Sequence, residues 1–246
     1  MKLKVEVMDK MQEKVMVVPR EYFFNKFDYF EGFKPAMHLN DNSGYTVDME
    51  EYEYREVSRK ILDAATFLTR ARCENNFNYL QVIPYICVFH SGRIFYVRRG
   101  DNSSEKRLHG KISIGMGGHL NSEDKEYLWP NRNSVISHSC TKNIIFNGAL
   151  RELSEETEIS GNFNITYAGM INHDCDSVNE VHLGIVFFAK LWENTKIFPR
   201  ELDKISGHGL TYTHVLLDSK HEDTLEIWSK SIIDGLKKID RNENYA

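Results

Sequence analysis

The chain has 246 residues, of which 41% are hydrophobic and 27% are charged, and its formal net charge is -5 at pH 7. This length and composition predict a folded chain with one sizeable core and exclude a low-complexity or disordered protein. The chain also lacks the broad positive field that nonspecific binding to nucleic acid or to an anionic membrane requires, so we expect neither partner.

The cysteines and the N-terminal sequence predict a cellular compartment. The four cysteines are widely spaced, with no CxxC pair, which favours reduced thiols over a disulfide framework. The N-terminus alternates charged and apolar residues, unlike a signal peptide, and no stretch is long and apolar enough to span a membrane. We therefore expect a cytoplasmic protein.

The beginning of the chain contains a strand pattern and an aromatic segment. Residues 13–18, EKVMVV, form a short apolar run that Pro19 ends, which predicts a strand. The segment from Tyr22 to Phe33 is too rich in aromatic residues to be left in water. We expect it to pack on the main body or across a homodimer interface.

A loop and a helix are predicted next. Residues 35–48 have a loop composition, and residues 50–72 follow with a helical pattern. From these patterns we expect an N-terminal α+β extension over residues 1–79 and a main domain over residues 80–246.

The main domain begins with strand patterns. LQVIPYICVFH and GRIFYVRRG predict two strands around a turn at His90-Ser91-Gly92. NITYAGMIN and VHLGIVFFAKLW predict two more, separated by the acidic loop HDCDSVNE, residues 173–180. Helical patterns occupy about residues 142–158 and 223–238. Strands interleaved with two helices predict a mixed α/β layered domain.

The first of these helices, within GALRELSEETEIS, concentrates negative charge. At 3.6 residues per turn, Glu155 lies roughly 60° to one side of Glu152 and Glu156 roughly 40° to the other, so the three carboxylates share one arc. Their repulsion would be relieved by a hard divalent cation, which takes oxygen ligands. The alternative is a solvated acidic face in which Arg151 and Glu155 form a pair one turn apart.

A glycine cluster in KISIGMGGHLNSED stands upstream, where missing side chains let the backbone approach a ligand closely. Together the two segments resemble the signature of Nudix hydrolases, in which a glycine, five residues, a glutamate and seven residues precede Arg-Glu-apolar-x-Glu-Glu-x-Gly-apolar. Gly118 matches the first glycine and Asp124 stands where the first glutamate belongs. The end of the signature is matched by Arg151, Glu152, Leu153, Glu155, Glu156 and Ile159.

Two departures from this signature stand out. Residues 125–150 separate the two halves where the family has seven residues, so we expect an insertion at about residues 125–142. Glu158 replaces the glycine that normally closes the helix, which predicts that the helix runs on to a stop near Gly161.

The resemblance extends over nearly the whole chain, to the branch known as MutT-like phosphoesterases. It is carried by VVPREYFF, QVIPY, YVRRG, RLHGKISIGMGGH, GMIN, VHLGIVF and LEIWSK. It implies an α/β/α sandwich with a mixed sheet, and Mg²⁺-dependent hydrolysis, with Mn²⁺ as a substitute, of a diphosphate linkage in a nucleotide-like substrate.

The resemblance also implies residue roles. Glu152, Glu155 and Glu156 would hold or position the metal, with the Gly117 carbonyl as a further ligand. Arg151 would orient the carboxylates. Asp124 is one methylene shorter than the family's glutamate and is followed by the insertion, so its role transfers least directly.

Four residues are candidates for binding the substrate. Arg98 and Arg99 close a strand, and guanidinium groups suit phosphate recognition, although surface solubilisation explains them equally well. Gly118 and His119 lie where a phosphate would approach, but a histidine at a strand end also serves structure.

The general base is sought in the acidic loop, whose Asp174, Asp176 and Glu180 precede a strand. Glu180 is the first choice because its side chain reaches farthest, and the alternative is a solvated loop. Two rival functions remain open. One is a noncatalytic nucleotide sensor, and the other is a diphosphate isomerase, which would need a reactive thiol such as Cys87 or Cys175.

Overall fold

The computed structural model describes residues 11–40, 47–102, 106–131, 134–138, 140–218 and 224–243. The strands within these residues are β1 (Lys14–Pro19), β2 (Gly32–Pro35), β3 (Thr66–Thr69), β4 (Tyr79–His90), β5 (Arg93–Arg99), β6 (Ile112–Ser113), β7 (Gly115–Gly117), β8 (Ile136–His138), β9 (Thr157–Ser160), β10 (Phe163–Asn172), β11 (His182–Leu191), β12 (Lys196–Pro199) and β13 (Ile205–Thr211). The α-helices are α1 (Arg20–Lys26), α2 (Met37–Asn40), α3 (Val47–Leu62), α4 (Arg70–Cys73), α5 (Ile144–Glu156), α6 (Thr213–Leu216) and α7 (Ile227–Glu243). No helix in these ranges is long and apolar enough to cross a membrane.

One mixed sheet organises the molecule. Its central order is β13-β5-β4-β11-β10-β2, and the separate pair β9 and β12 lies outside it. β4 and β11 run parallel, whereas β11 and β10 are antiparallel. The parallel pairing sets Gln81, the third residue of β4, beside His182, the first residue of β11.

Helices cover both faces of this sheet, as the α/β/α prediction requires. One face buries α5 against alternate residues of β4, and these contacts include Phe146, Leu153, Leu80, Val82 and Ile86. The opposite face of the sheet buries α7, and that cluster includes Ile232, Ile233, Cys87, Ile171 and Val186. The alternation of side chains along β4 explains why one strand serves both cores. The predicted fold class is confirmed.

The turn between β4 and β5 is the one that the sequence predicts. His90 pairs with Arg93, so Ser91 and Gly92 form a two-residue connection. Both residues have positive φ values, 49° and 72°, which match the twist of a β-hairpin.

The N-terminal segment adds strands to the same sheet. β1 pairs with β4, and β2 pairs with β10. Phe23 of α1 is buried in the main core, while Tyr29 is 58% exposed. The aromatic segment therefore packs on the body of the same chain, although not with every ring. The domain boundary at residue 79 stays a prediction, since strand pairing does not tell whether the N-terminal segment folds alone. The homodimer stays a prediction as well.

The predicted helix over residues 50–72 is wrong in its second half. α3 ends at Leu62, and Thr66–Thr69 forms β3. β3 pairs antiparallel with β1, some 50 residues earlier, so a tertiary contact decides its conformation. The predicted loop over residues 35–48 contains the single turn α2 and the start of α3, and its residues 41–46 lie outside the described ranges.

The expected extension of the signature helix towards Gly161 is also wrong. α5 ends at Glu156, and the next residue, Thr157, adopts an extended conformation. Residues 157–160 form β9, in which Thr157 and Ile159 are buried. The β-branched Thr157 and the alternating burial of residues 157–160 favour a strand here. The helix therefore ends without a glycine.

The start of α5 depends on a capping residue. The Asn143 Oδ1 atom accepts hydrogen bonds from the backbone N–H groups of Ile145 and Phe146. It also accepts a 2.8 Å hydrogen bond from the hydroxyl of Tyr54, which is fully buried. One side chain thus fixes the helix start and satisfies a buried hydroxyl.

We predict that Asn143→Ala lowers the free energy of unfolding by about 1–2 kcal/mol, because it removes the cap and leaves the Tyr54 hydroxyl unpaired. Chemical denaturation measures the change. Asn143→Ser retains a capping oxygen and should lose clearly less. Equal stabilities of the alanine variant and the wild type would contradict this account of the helix start.

Candidate active site

Arg151 on α5 gathers the acidic residues of the two signature segments. Its Nη1 atom donates hydrogen bonds to Glu152, at 2.7 Å, and to Glu155, at 2.9 Å. Its Nε atom lies 2.6 Å from an Asp124 carboxylate oxygen, and its Nη2 atom donates to the His119 carbonyl at 2.9 Å. We call this set the Arg151 network. It joins α5 to the segment that follows β7.

Asp124 is held inside the protein. Its side chain is about 1% exposed and also accepts a 2.9 Å hydrogen bond from the backbone N–H of Asn121. With Asn121 it caps the short 3-10 helix Ser122–Glu126. The structure therefore shows Asp124 as an anchor for Arg151 and for this turn.

Glu152 lies against the backbone of Gly118. A Cβ atom at position 118 would stand 2.2 Å from the Glu152 Oε1 atom, so only glycine leaves room for the carboxylate. Burial raises the pKa of Glu152 to about 7 against the opposing effect of Arg151, and Glu155 and Asp124 raise it further.

Glu156 is the last residue of α5 and the least neutralised of the three glutamates. Within the described ranges, no hydrogen bond or ion pair reaches its carboxylate. Burial raises its pKa to about 8; Arg99 opposes this, and the charges of other acidic residues add to it. These acidic residues are Glu152, Glu201 and Glu226.

The two predicted phosphate-binding arginines are engaged with protein groups. Arg98 donates a 2.9 Å hydrogen bond to the Gly110 carbonyl. Arg99 places its Nε atom 2.9 Å from a Glu226 carboxylate oxygen, in an ion pair whose side chains are 29% and 12% exposed. Phosphate binding by either arginine stays a prediction.

His119 meets His182, the first residue of β11. Their Nε2 atoms are 3.4 Å apart and their ring centroids 5.4 Å apart. Burial lowers the pKa of His119 well below its usual value, and the charge of Arg70 adds to this, so the ring is neutral at pH 7. The contact ties the acidic loop, which ends just before β11, to the segment carrying Gly118.

Two acids of the acidic loop are engaged in hydrogen bonds, Asp174 with the N-terminal segment and Asp176 within the loop. Asp174 accepts hydrogen bonds from the Tyr29 hydroxyl, at 2.9 Å, and from Arg20, at 3.3 Å. Asp176 accepts from the backbone N–H groups of Val178 and Asn179. Burial raises the pKa of Asp176, but these hydrogen bonds outweigh it and lower the pKa overall.

Glu180 differs from these two acids. Its backbone is fixed within a 3-10 turn, Asn179–Val181, and its carbonyl accepts a hydrogen bond from Arg20. Its half-buried carboxylate has no hydrogen-bond or ion-pair partner among the residues that the structure describes. Of the three candidate bases, Glu180 therefore keeps its carboxylate free.

The chemistry of the donor set suits a hard divalent cation. The described residues contain no group of three His, Cys, Asp or Glu side chains already gathered around one point. The carboxylates of Glu152, Glu155 and Glu156 nevertheless share one end of α5, where a single arginine cannot balance them and Asp124. Oxygen ligands with excess negative charge are what Mg²⁺ and Mn²⁺ prefer.

The cysteines offer no activated thiol among the described positions. Cys87 is buried, and burial raises the pKa of its thiol. Cys175 is exposed, and burial together with Asp176 raises its pKa as well. Both environments disfavour the thiolate, which is the reactive form.

Three residues of the site region were missed by the sequence analysis: His182, Glu201 and Glu226. None belongs to either signature segment. His182 starts β11, Glu201 follows β12, and Glu226 is held by its backbone N–H on Ile112, so contacts distant in sequence position all three. Glu226 lies in the late segment LEIWSK, which indicates the family resemblance but no role for the glutamate.

Comparisons with known proteins support the fold. No protein-family model matches the chain. Protein YmaB of Bacillus subtilis (strain 168) is 27% identical over 233 residues, which cover 94% of this chain and 100% of YmaB. The crystal structure of Tm1382, a protein proposed to be a Nudix hydrolase, has 24% identity and a TM-score of 0.67, covering 92% of this chain and 100% of that one. This chain therefore has the Nudix fold, and the predicted resemblance is confirmed for the fold.

We predict that Gly118→Ala weakens Mn²⁺ binding at least about tenfold, because the new methyl group displaces the Glu152 carboxylate. Electron paramagnetic resonance of free Mn²⁺ measures the affinity. Gly207→Ala is the control, since its nearest contact would be Arg98 Cβ at 3.9 Å. Unchanged binding in Gly118→Ala would show that the position of Glu152 does not matter to a cation.

Proposed function

We propose that this protein hydrolyses a diphosphate linkage in a nucleoside triphosphate, or in a nucleoside diphosphate linked to another group. The observation that carries the proposal is the Arg151 network, which holds Glu152 beside Gly118 and also binds Glu155, while Glu156 has no ion pair among the described residues. The fold shared with Tm1382 supports the same reaction class. Mg²⁺ is the proposed cofactor, with Mn²⁺ as a substitute.

The three glutamates of α5 would hold the cation, with the Gly117 carbonyl as a further ligand. A bound cation neutralises phosphate oxygens and lowers the pKa of water. Arg151 contributes by fixing Glu152 and Glu155 in one orientation, which leaves little reorganisation for binding.

Glu180 is the proposed general base. A water molecule attacks phosphorus, the diphosphate P–O bond breaks, and the proton of the water passes to the Glu180 carboxylate. The free carboxylate of Glu180 and the contact between His182 and His119 support this choice. The carboxylates of Asp174 and Asp176 are occupied by hydrogen bonds, the first to the N-terminal segment and the second within the loop.

A nucleotide panel tests the function. With Mg²⁺, we expect release of phosphate, pyrophosphate or a nucleoside monophosphate from at least one nucleotide, and complete loss of turnover in excess chelator. Glu156→Gln should lower the rate at least about 10²-fold, because it removes a cation ligand at constant volume. Glu158→Gln, on the exposed side of β9, is the matched control and should keep full activity.

The outcome separates the rival functions. Nucleotide binding without any product would favour the noncatalytic sensor, and rearrangement of a diphosphate without hydrolysis would favour the isomerase. Full turnover in excess chelator would contradict the cation assignment. Near wild-type rates for the glutamine variants of all three α5 glutamates would reduce the helix to a solvated acidic face.

We predict that Glu180→Gln lowers kcat at least about 10²-fold, while Mn²⁺ affinity changes little, because a base acts on the water and not on the cation. Steady-state kinetics at saturating Mg²⁺ measures kcat. Asp174→Asn is the control within the same loop and should keep kcat within a few-fold of the wild type, because an amide oxygen still accepts hydrogen bonds from Tyr29 and Arg20. A kcat for Glu180→Gln within a few-fold of the wild type would place the base elsewhere.

A further inference from the structure

Three side chains from distant parts of the chain form a hydrogen-bonded row beside β2. The Ser231 Oγ atom of α7 lies 2.7 Å from the Nε2 atom of His173, which follows β10. The Nδ1 atom of the same imidazole lies 2.9 Å from the Oε1 atom of Glu31, which precedes β2. We call this set the Ser231 triad. A hydroxyl, an imidazole and a carboxylate in this order form the arrangement that activates a serine nucleophile in hydrolases of unrelated folds.

The carboxylate decides which nitrogen of the imidazole carries the proton. An ionised Glu31 can only accept, so the Nδ1 atom of a neutral His173 donates to it, and the Nε2 atom accepts the Ser231 O–H. Glu31 is itself held in place. Its Oε2 atom accepts a 3.1 Å hydrogen bond from the Tyr29 hydroxyl, and its Oε1 atom lies 3.3 Å from the backbone N–H of Asp174. This tautomer allows His173 to take the serine proton.

Packing shields the imidazole and leaves space next to the hydroxyl. The side chain of His173 is 9% exposed, whereas Ser231 is only partly buried. Gly32 has a φ of 84° and no side chain to cover the pair. Apart from its chain neighbours, a Cβ atom at Gly32 would meet only two described atoms within 4 Å, His173 Cε1 at 3.9 Å and Ser231 Oγ at 4.0 Å. The gap at Gly32 therefore borders both the nucleophile and the base.

The elements that carry the triad are packed closely. α7 lies directly on β2, where a Cβ atom at Gly235 would stand 2.6 Å from the Phe33 ring. β2 pairs with β10, and Gly32 stands opposite Asn172, the residue before His173. A nucleophile and its base held at hydrogen-bond distance by packed elements need little reorganisation before they react.

We propose that the Ser231 triad is a second reactive site, in which Ser231 takes up an activated acyl group and passes it to water. The Ser231 Oγ atom attacks the carbonyl carbon while its proton moves to His173 Nε2. The bond to the leaving group then breaks, and the leaving group receives that proton.

The second half of the reaction restores the serine. Water attacks the acyl-serine ester and gives a proton to His173, and this proton passes to Ser231 Oγ as the free acid departs. The expected substrates are thioesters and aryl esters, because their leaving groups depart readily and the triad supplies only a nucleophile and a base. None of the three residues belongs to the Arg151 network or to the acidic trio of α5, so this chemistry is separate from the proposed diphosphate hydrolysis.

A fluorophosphonate reagent tests the nucleophile on the full chain. The reaction is run in excess chelator, so that a bound cation contributes nothing. We expect one adduct, located on Ser231 by peptide mass spectrometry, which forms at least about 10²-fold faster on the folded chain than on the chain unfolded in urea. With p-nitrophenyl acetate, the same residue should carry an acetyl ester while p-nitrophenol is released.

Two variants test the base and the residue that orients it. His173→Gln keeps hydrogen-bonding groups but cannot accept the proton, so labelling of Ser231 should slow at least about 10²-fold. Glu31→Gln can donate to Nδ1 and so favours the wrong tautomer, which should slow labelling at least about tenfold. Ser122→Ala is the control and should leave labelling unchanged, because the Ser122 hydroxyl contacts the Glu123 carboxylate, at 3.2 Å, and not an imidazole.

The absence of an adduct on Ser231, or an adduct that forms equally fast on the unfolded chain, would overturn the proposal. The triad would then be a structural contact between α7, the acidic loop and the N-terminal segment. Labelling that His173→Gln does not slow would overturn it as well. If His173→Gln does not fold, the comparison of the folded and unfolded wild-type chains decides.

Discussion

The ion pairs of Arg151 are the interaction on which the site depends. Asp124 and Glu152 are almost removed from solvent, and a buried carboxylate without a partner is strongly destabilising. One planar guanidinium satisfies both and still reaches Glu155 and the His119 carbonyl. A lysine offers a single point charge and could not reproduce these directions. The acidic site can therefore exist in a folded protein because Arg151 is an arginine.

The Arg151 network requires several parts of the chain to be placed within hydrogen-bond distance of one another. α5 starts at the Asn143 cap and packs its apolar side on β4. These two contacts fix the position of Arg151 relative to the sheet. β7 pairs with β4 as well, so the segment carrying Gly118 reaches α5 from the same strand. The absence of a side chain at Gly118 then admits the Glu152 carboxylate. Position in the sheet, helix capping and one glycine together determine the geometry.

The sequence predicts features whose cause is local. The turn at Ser91-Gly92 needs only residues that tolerate positive φ, and α5 and α7 show the apolar period of helices. β3 could not be predicted, because its residues become a strand only by pairing with β1. The end of α5 was misplaced for a related reason. Residues 157–160 are drawn into pairing with β12, which lies about 40 residues later.

The same distinction applies to the site. The glutamates of α5 are neighbours in sequence, so their common arc could be predicted. His182, Glu201 and Glu226 arrive through contacts distant in sequence and leave no local pattern. The acids around Arg151 compete for one guanidinium. Asp124 takes the Nε and Nη2 atoms of Arg151, and the Nη1 atom reaches Glu152 and Glu155. The single positive charge of Arg151 is therefore shared among three carboxylates, and Glu156 has no ion pair among the described residues. Excess negative charge stays at the end of α5, and a divalent cation is what would balance it.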